Sequence, residues 1–160
     1  MENLITVDIS DFKVTDDPDA VIVTYALGSC IAVVVYDPIK RAGGMIHFML
    51  PMSSTSPDKA KEKPAMFADT GVPLLFGEMY SLGCNKKDLV VKVIGGGSLY
   101  DDKGMFNIGQ RNYTVVRKLF WKNGILIKAE DVGGAKSRTA RLFVGTGKVL
   151  VRSQSEESEL

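Results

Sequence analysis

The sequence predicts an α+β domain, and three observations carry that prediction. β-branched apolar runs crowd the N-terminal third. Two helical stripes follow them, and alternating strand patterns resume at the end. The chain has 160 residues, 45% hydrophobic and 24% charged, enough for one domain that buries roughly two-thirds of its unfolded surface. We read residues 1–152 as that domain and residues 153–160, "SQSEESEL", as a polar acidic tail in solvent.

The elements follow in order. "LITVDI" alternates as a strand and runs into the polar turn "TDDPDA". "AVIVTYAL" and "CIAVVVYD" are apolar runs, the second closed by Asp37-Pro38, and "AGGMIHFML" is stopped by Pro51. Runs this continuous belong to strands buried on both faces. A polar loop, "SSTSPDKAKEK", leads to Pro64, a residue suited to a first helical position, and a helix is expected over residues 66–82 with Gly83 as its stop. Pro73 lies inside it and is expected to kink or divide it. "LVVKVI" is a strand that empties into Gly95-Gly96-Gly97. A second helix spans residues 108–122 with Val115, Val116, Leu119 and Phe120 inward, ended by Asn123-Gly124. "ILIKAEDV" is a strand, and "ARLFVGTGKVLVRS" is a hairpin turning at Thr146-Gly147.

Several functional classes are disfavoured by composition. A formal charge of +1 gives no basic excess for a polyanion. No apolar run approaches the roughly 20 residues that span a bilayer. "MENLITVDIS" lacks a basic start and apolar core, so a cytoplasmic location is expected. Two cysteines and one histidine are too few for a disulfide framework or the usual zinc ligand set.

Three residues then draw the chemistry. Cys30 heads an apolar strand, where a cysteine is packed core or, at a Gly28-Ser29 turn whose amides can face an oxyanion, a nucleophile. Antiparallel pairing of "CIAVVVYD" with "MIHFML" returns His47 to the neighbourhood of Cys30. A thiol with a pKa near 8.5 is mostly protonated at neutral pH, so an imidazole within reach can take its proton and later give it to a leaving group. A third group normally orients the ring; Thr24, Ser29 and several aspartates are available. The Gly95–Gly97 cluster is no dinucleotide fingerprint, because the third glycine position holds Tyr100, and no phosphate-loop motif occurs. Those glycines permit close backbone approach or form a loop displaying Leu99, Tyr100 and Phe106. Cys84 reads as structural. Asp131, Gly133, Gly134, Arg138 and Thr139 read equally as site or as loop packing.

"LGSCIAVVVYDP", "GGMIHFMLP", "FADTGVPLL", "IGGGSLY", "NIGQRN", "AEDVGG" and "TGKVLVR" occur in the order found in the CheD family, which the chain resembles from about Val21 to Arg152. The resemblance implies a chemoreceptor glutamine deamidase (a protein-glutamine glutaminase with a thiol nucleophile) acting on methyl-accepting chemotaxis proteins, with some methylesterase activity. It implies a mixed β-sandwich with helices outside, similar to the deamidating domain of cytotoxic necrotizing factor toxins, and no cofactor or metal. By position, Cys30 matches the nucleophile, His47 the general base and Thr24 the residue orienting it; Gly28 and Ser29 support the oxyanion. Members also bind CheC-type phosphatases through the loop after the glycine cluster. Gly96, Gly97 and Tyr100 are the corresponding positions here, with Gly97 and Tyr100 departing from the commoner residues. The alternative implied by the resemblance is a binding regulator of such a phosphatase with minor deamidase activity. A thiol redox sensor is the weaker third reading, for want of a resolving partner at Cys84.

Overall fold

A computed structural model describes residues 2–98 and 106–160. Among them ten strands form two five-stranded sheets. The first sheet runs in the order β1 (Asn3–Thr6), β3 (Ala20–Leu27), β8 (Arg138–Phe143), β9 (Lys148–Ser153) and β10 (Glu156–Glu159). The second runs β2 (Asp11–Thr15), β5 (Ala42–Phe48), β4 (Ile31–Asp37), β6 (Val90–Gly95) and β7 (Ile127–Val132). Pairing is antiparallel except β1 with β3 and β6 with β7, so both sheets are mixed. The helices are α1 (Pro57–Glu62), α2 (Ala68–Ser81) and α3 (Ile108–Lys122). None of these described helices is long and apolar enough to cross a membrane.

The second sheet is the middle layer. From β4, Ala32, Val34 and Tyr36 meet Ile22, Ala140 and Leu142 of the first sheet. Its alternate residues Ile31, Val33 and Val35 meet Leu75 and Phe76 of α2 and Val116 and Phe120 of α3. This is why "CIAVVVYD" is apolar throughout: each face of β4 has its own core. Every residue of β4 and β5 is buried.

Four local expectations need correction. Residues 11–15 form β2, a strand in the stretch that the sequence patterns leave unassigned between "LITVDI" and "TDDPDA"; it pairs with β5 along the His47 register. The loop before Pro64 contains α1, and Pro64 begins only a 3-10 turn, the long helix starting at Ala68. Pro73 does not divide α2, which runs on from Ala68 to Ser81 without the one N–H bond that the proline cannot make to the Asp69 carbonyl. The acidic tail is not loose: β10 pairs antiparallel with β9, its side chains are exposed, and Leu160 packs on the inter-sheet core. The hairpin at Thr146-Gly147 is as the sequence predicts, with Gly147 N–H bonded to the Phe143 carbonyl at 2.7 Å.

Candidate functional site

The site stands where the two sheets meet at the N-terminal end of β4. Strand β3 reaches it with one extra residue. Thr24 is paired with Ala140 and Leu27 with Arg138, so three steps on β3 match two on β8. Ala26 absorbs the difference at φ +57. This bulge lets Thr24 and Leu27 both point inward, although they are three apart, and turns the chain into Gly28-Ser29-Cys30.

Thr24 and His47 are both fully buried and face each other across the sheets. Thr24 Oγ1 lies 2.7 Å from His47 Nδ1, and it donates its single hydrogen to the Val7 carbonyl at 2.7 Å. A hydroxyl has one proton to give. With that proton committed to Val7, Thr24 can only accept from His47, so Nδ1 carries the ring proton and Nε2 holds the lone pair. The imidazole is thereby fixed as a base at Nε2. Burial lowers the pKa of His47 to about 4, with Asp8 pulling weakly the other way. The ring is neutral at physiological pH.

Cys30 comes one residue before β4, half-buried, and packs against the same inter-sheet core. Ala32 is the ladder partner of His47, so Cys30, two residues earlier, is its diagonal neighbour toward the open end. The hairpin inferred from the sequence is there, in register. His47 Nε2 is buried and takes no hydrogen bond from any described residue, Cys30 included. Burial also raises the pKa of the Cys30 thiol, offset in part by its backbone amide. The resting pair is therefore thiol and neutral imidazole, not thiolate and imidazolium.

The turn that carries Cys30 is tied down at each carbonyl. Gly28 O accepts from Gly97 N–H and Cys30 O from Gly96 N–H, both at 2.8 Å. Ser29 O accepts from Asn112 Nδ2 at 2.9 Å. Gly96 and Gly97 serve close approach, since a Cβ on Gly96 would stand 3.0 Å from the Gly109 carbonyl oxygen and one on Gly97 3.0 Å from that of Lys136. A Cβ on Gly109 at the start of α3 would in turn stand 2.3 Å from the Gly97 carbonyl oxygen. Tyr100 and Leu99 lie outside the described residues. A cleft of about 470 Å³ opens beside the turn, bordered by Ser29, Gly96, Gly97, Phe106, Gly109 and Gly133. Cys30 and His47 do not border it; Ser29 is the point of contact.

Arg138 is buried and bonds Asp131 Oδ1 at 3.1 Å and the carbonyl of Gly133 at 2.7 Å, with the Gly95 carbonyl at 3.4 Å. It packs the loop after β7 onto the end of β6 and offers no free cation to a ligand. Two contributors escaped the sequence reading. The Val7 carbonyl left no signal, since backbone acceptors are invisible in residue types. Asn112 left one: it interrupts the buried stripe Gly109, Val116 and Phe120 of α3 with a poor helix former.

The family model for CheD chemotactic sensory transduction matches residues 49–153. That span begins just after His47, so it does not itself include Thr24, Cys30 or His47. Relatives aligned over longer spans do reach this region. The chain is 56% identical over 149 residues to a probable chemoreceptor glutamine deamidase CheD 1 of Syntrophus aciditrophicus, covering 93% of each chain. It is 51% identical over 158 residues to a probable chemoreceptor glutamine deamidase CheD 2 of Anaeromyxobacter dehalogenans, covering 99% of each. The chemoreceptor glutamine deamidase CheD of Thermotoga maritima is 42% identical over 144 residues, 90% of this chain and 88% of that one.

Proposed function

The chain belongs to the CheD family, and on that premise we propose that it is a cysteine hydrolase converting glutamine side chains of methyl-accepting chemotaxis receptors to glutamate. The observation that carries the chemistry is the Thr24–His47 bond, with the threonine proton already spent on Val7. It leaves a neutral base whose lone pair is buried next to the one half-exposed thiol of the chain.

The steps follow from those protonation states. His47 Nε2 takes the Cys30 proton as the sulfur attacks the glutamine carboxamide carbon. The amide oxygen gains the negative charge, which the backbone amides of the Gly28-Ser29-Cys30 turn are suited to hold. The imidazolium then protonates the departing nitrogen, ammonia leaves, and a thioester remains on Cys30. Water gives a proton to His47 and attacks the thioester, releasing glutamate and the thiol. A glutamyl methyl ester would enter the same thioester with methanol leaving instead. Thr24 has no proton to exchange in this cycle; it holds the tautomer. The fold likeness to the toxin deamidases belongs to this reading, supported by the mixed sheets and outer helices. So does a cytoplasmic setting, where receptor signalling domains are met.

Incubating the purified chain with a receptor cytoplasmic fragment tests the proposal. Mass spectrometry should find the amide-to-acid mass gain at particular glutamines with the native chain and not with Cys30→Ala. Identical spectra from the two would falsify it.

A further inference from the structure

The ladder between β4 and β5 ends at Ile31 with Phe48. Beyond it the strands part. Met49 N–H turns away to bond the Met66 carbonyl, and the Cys30 carbonyl leans the other way to Gly96 N–H, both at 2.8 Å. At this fork the Ser29 and Met49 carbonyls lose any ladder partner, and buried carbonyls need one. Asn112 supplies it for both: Nδ2 donates to Ser29 O and to Met49 O, each at 2.9 Å. Its own Oδ1 is buried and takes no hydrogen bond among the described residues. A leucine would fill this place on the α3 stripe without the orphaned Oδ1, but it would leave the Ser29 and Met49 carbonyls without their donor. The side chain is thus retained for two donors, against local helix preference and against its own acceptor.

We propose that Asn112 is a positioning residue for the Cys30–His47 pair. Its carboxamide acts as one extra rung, joining the strand end that carries the nucleophile to the strand end that carries the base. Diagonal neighbours past the end of a ladder are free to splay, and a misplacement of about 1 Å can cost about 100-fold in rate. The proposal rests on the deamidase reading of Cys30 and His47. It concerns how they are held rather than what they do, and Asn112 touches no reacting atom.

The test is a cycle of variants in the full chain. Asn112→Leu keeps the packing volume without donors; Asn112→Asp keeps the shape and sets a carboxylate against the two carbonyls. Deamidation of a receptor fragment gives kcat and KM, and iodoacetamide alkylation of Cys30 reports the thiol without any receptor. Folded Asn112→Leu should lose about 100-fold in kcat with KM unchanged. His47→Ala should slow alkylation in the native background and leave it unchanged once Asn112 is already leucine, because the base is no longer in place. Native kcat in a folded Asn112 variant, or alkylation effects that simply add, would overturn the proposal. If neither variant folds, NMR of the native chain decides. Asn112 amide protons that exchange slowly and shift when Cys30 is alkylated uphold it; rapid exchange overturns it. A coupled alkylation cycle in a chain that leaves every receptor glutamine intact sinks the deamidase reading and upholds Asn112.

Discussion

Strand β4 meets a cysteine at both ends, and the two ends differ in what faces the sulfur. At the Ile31 end, Cys30 is half-buried beside a neutral imidazole with an unshared lone pair. At the Asp37 end, Cys84 is buried next to a carboxylate that already accepts the turn amides of Ile39 and Lys40 at 2.9 and 3.1 Å. Burial, reinforced by the Asp37 charge, pushes the Cys84 thiol up to about 11. Both thiols are raised by burial, so a low pKa does not separate Cys30, the proposed nucleophile, from Cys84. What separates them is a base able to remove the proton at one end and a like charge that would oppose the thiolate at the other.

The sharpest way to break this comparison is to exchange the ends. Cys30→Ala should abolish receptor deamidation, measured by mass spectrometry at each modified glutamine, and His47→Ala should lower it by about 10² to 10⁴, the range of a lost general base. Thr24→Val comes next. Removing a triad carboxylate can cost about 10⁴-fold, but a neutral hydroxyl fixes the tautomer without stabilising the imidazolium by charge, so a loss of about 10- to 100-fold in kcat is expected. Thr24→Ser should restore most of it. The valine also strands the buried Val7 carbonyl, which costs about 1–3 kcal/mol and is readable in urea unfolding.

How much of this was legible beforehand depends on the range of each contact. The Cys30–His47 neighbourhood was, because two apolar runs joined by a turn fix an antiparallel register, and the register alone brings residues 30 and 47 together. The double-faced burial of β4 was legible in its unbroken apolar run. Thr24 was one of several groups the sequence offered, and only the family motif chose it over Ser29 and the aspartates. Its inward aim depends on the bulge at Ala26 and its partner is in the other sheet, and neither follows from local spacing. Strand β2 and the tail strand β10 were missed for one reason. Both are short edge strands: β10 has every position exposed and is held by pairing alone, while β2 shows only two apolar residues, Phe12 and Val14, whose contact with the helix-side core comes from distant sequence. Asn112 was legible as an anomaly on its helix, but its two carbonyl partners belong to the second sheet's fork.

The pH dependence sharpens the comparison further. A base with a pKa of about 4 stays neutral through mildly acid solution, so the acid limb of kcat/KM should fall near pH 4 and not near the ordinary 6.5. A thiolate–imidazolium pair would instead give iodoacetamide inactivation that is already maximal at neutral pH. Here inactivation should keep rising above pH 8. Stability carries the same signature. The unfolded chain holds a proton on His47 below its ordinary 6.5, and the folded chain accepts one only near 4. The folded state is therefore fully favoured by this group above the ordinary value and loses that advantage as pH falls across the window. The loss is on the order of 3 kcal/mol, at 1.36 kcal/mol per pKa unit. Urea midpoints at pH 7 and pH 4.5 should differ, and His47→Asn should shrink the difference.

The smallest effect is expected at the other end of β4. Cys84 packs on the helix-side core at the end of α2, and its thiol feels the Asp37 carboxylate, with the Lys40 and Asp16 charges acting in opposite directions. Cys84→Ala removes one buried sulfur and should cost about 1–2 kcal/mol in stability, in line with small core truncations, while leaving kcat and KM for the receptor unchanged. In the native chain a disulfide reagent should label Cys30 and spare Cys84 until the chain unfolds. A Cys84 that reacts as fast as Cys30, or whose alanine variant loses deamidation, would mean that the neighbouring base does not set the two thiols apart.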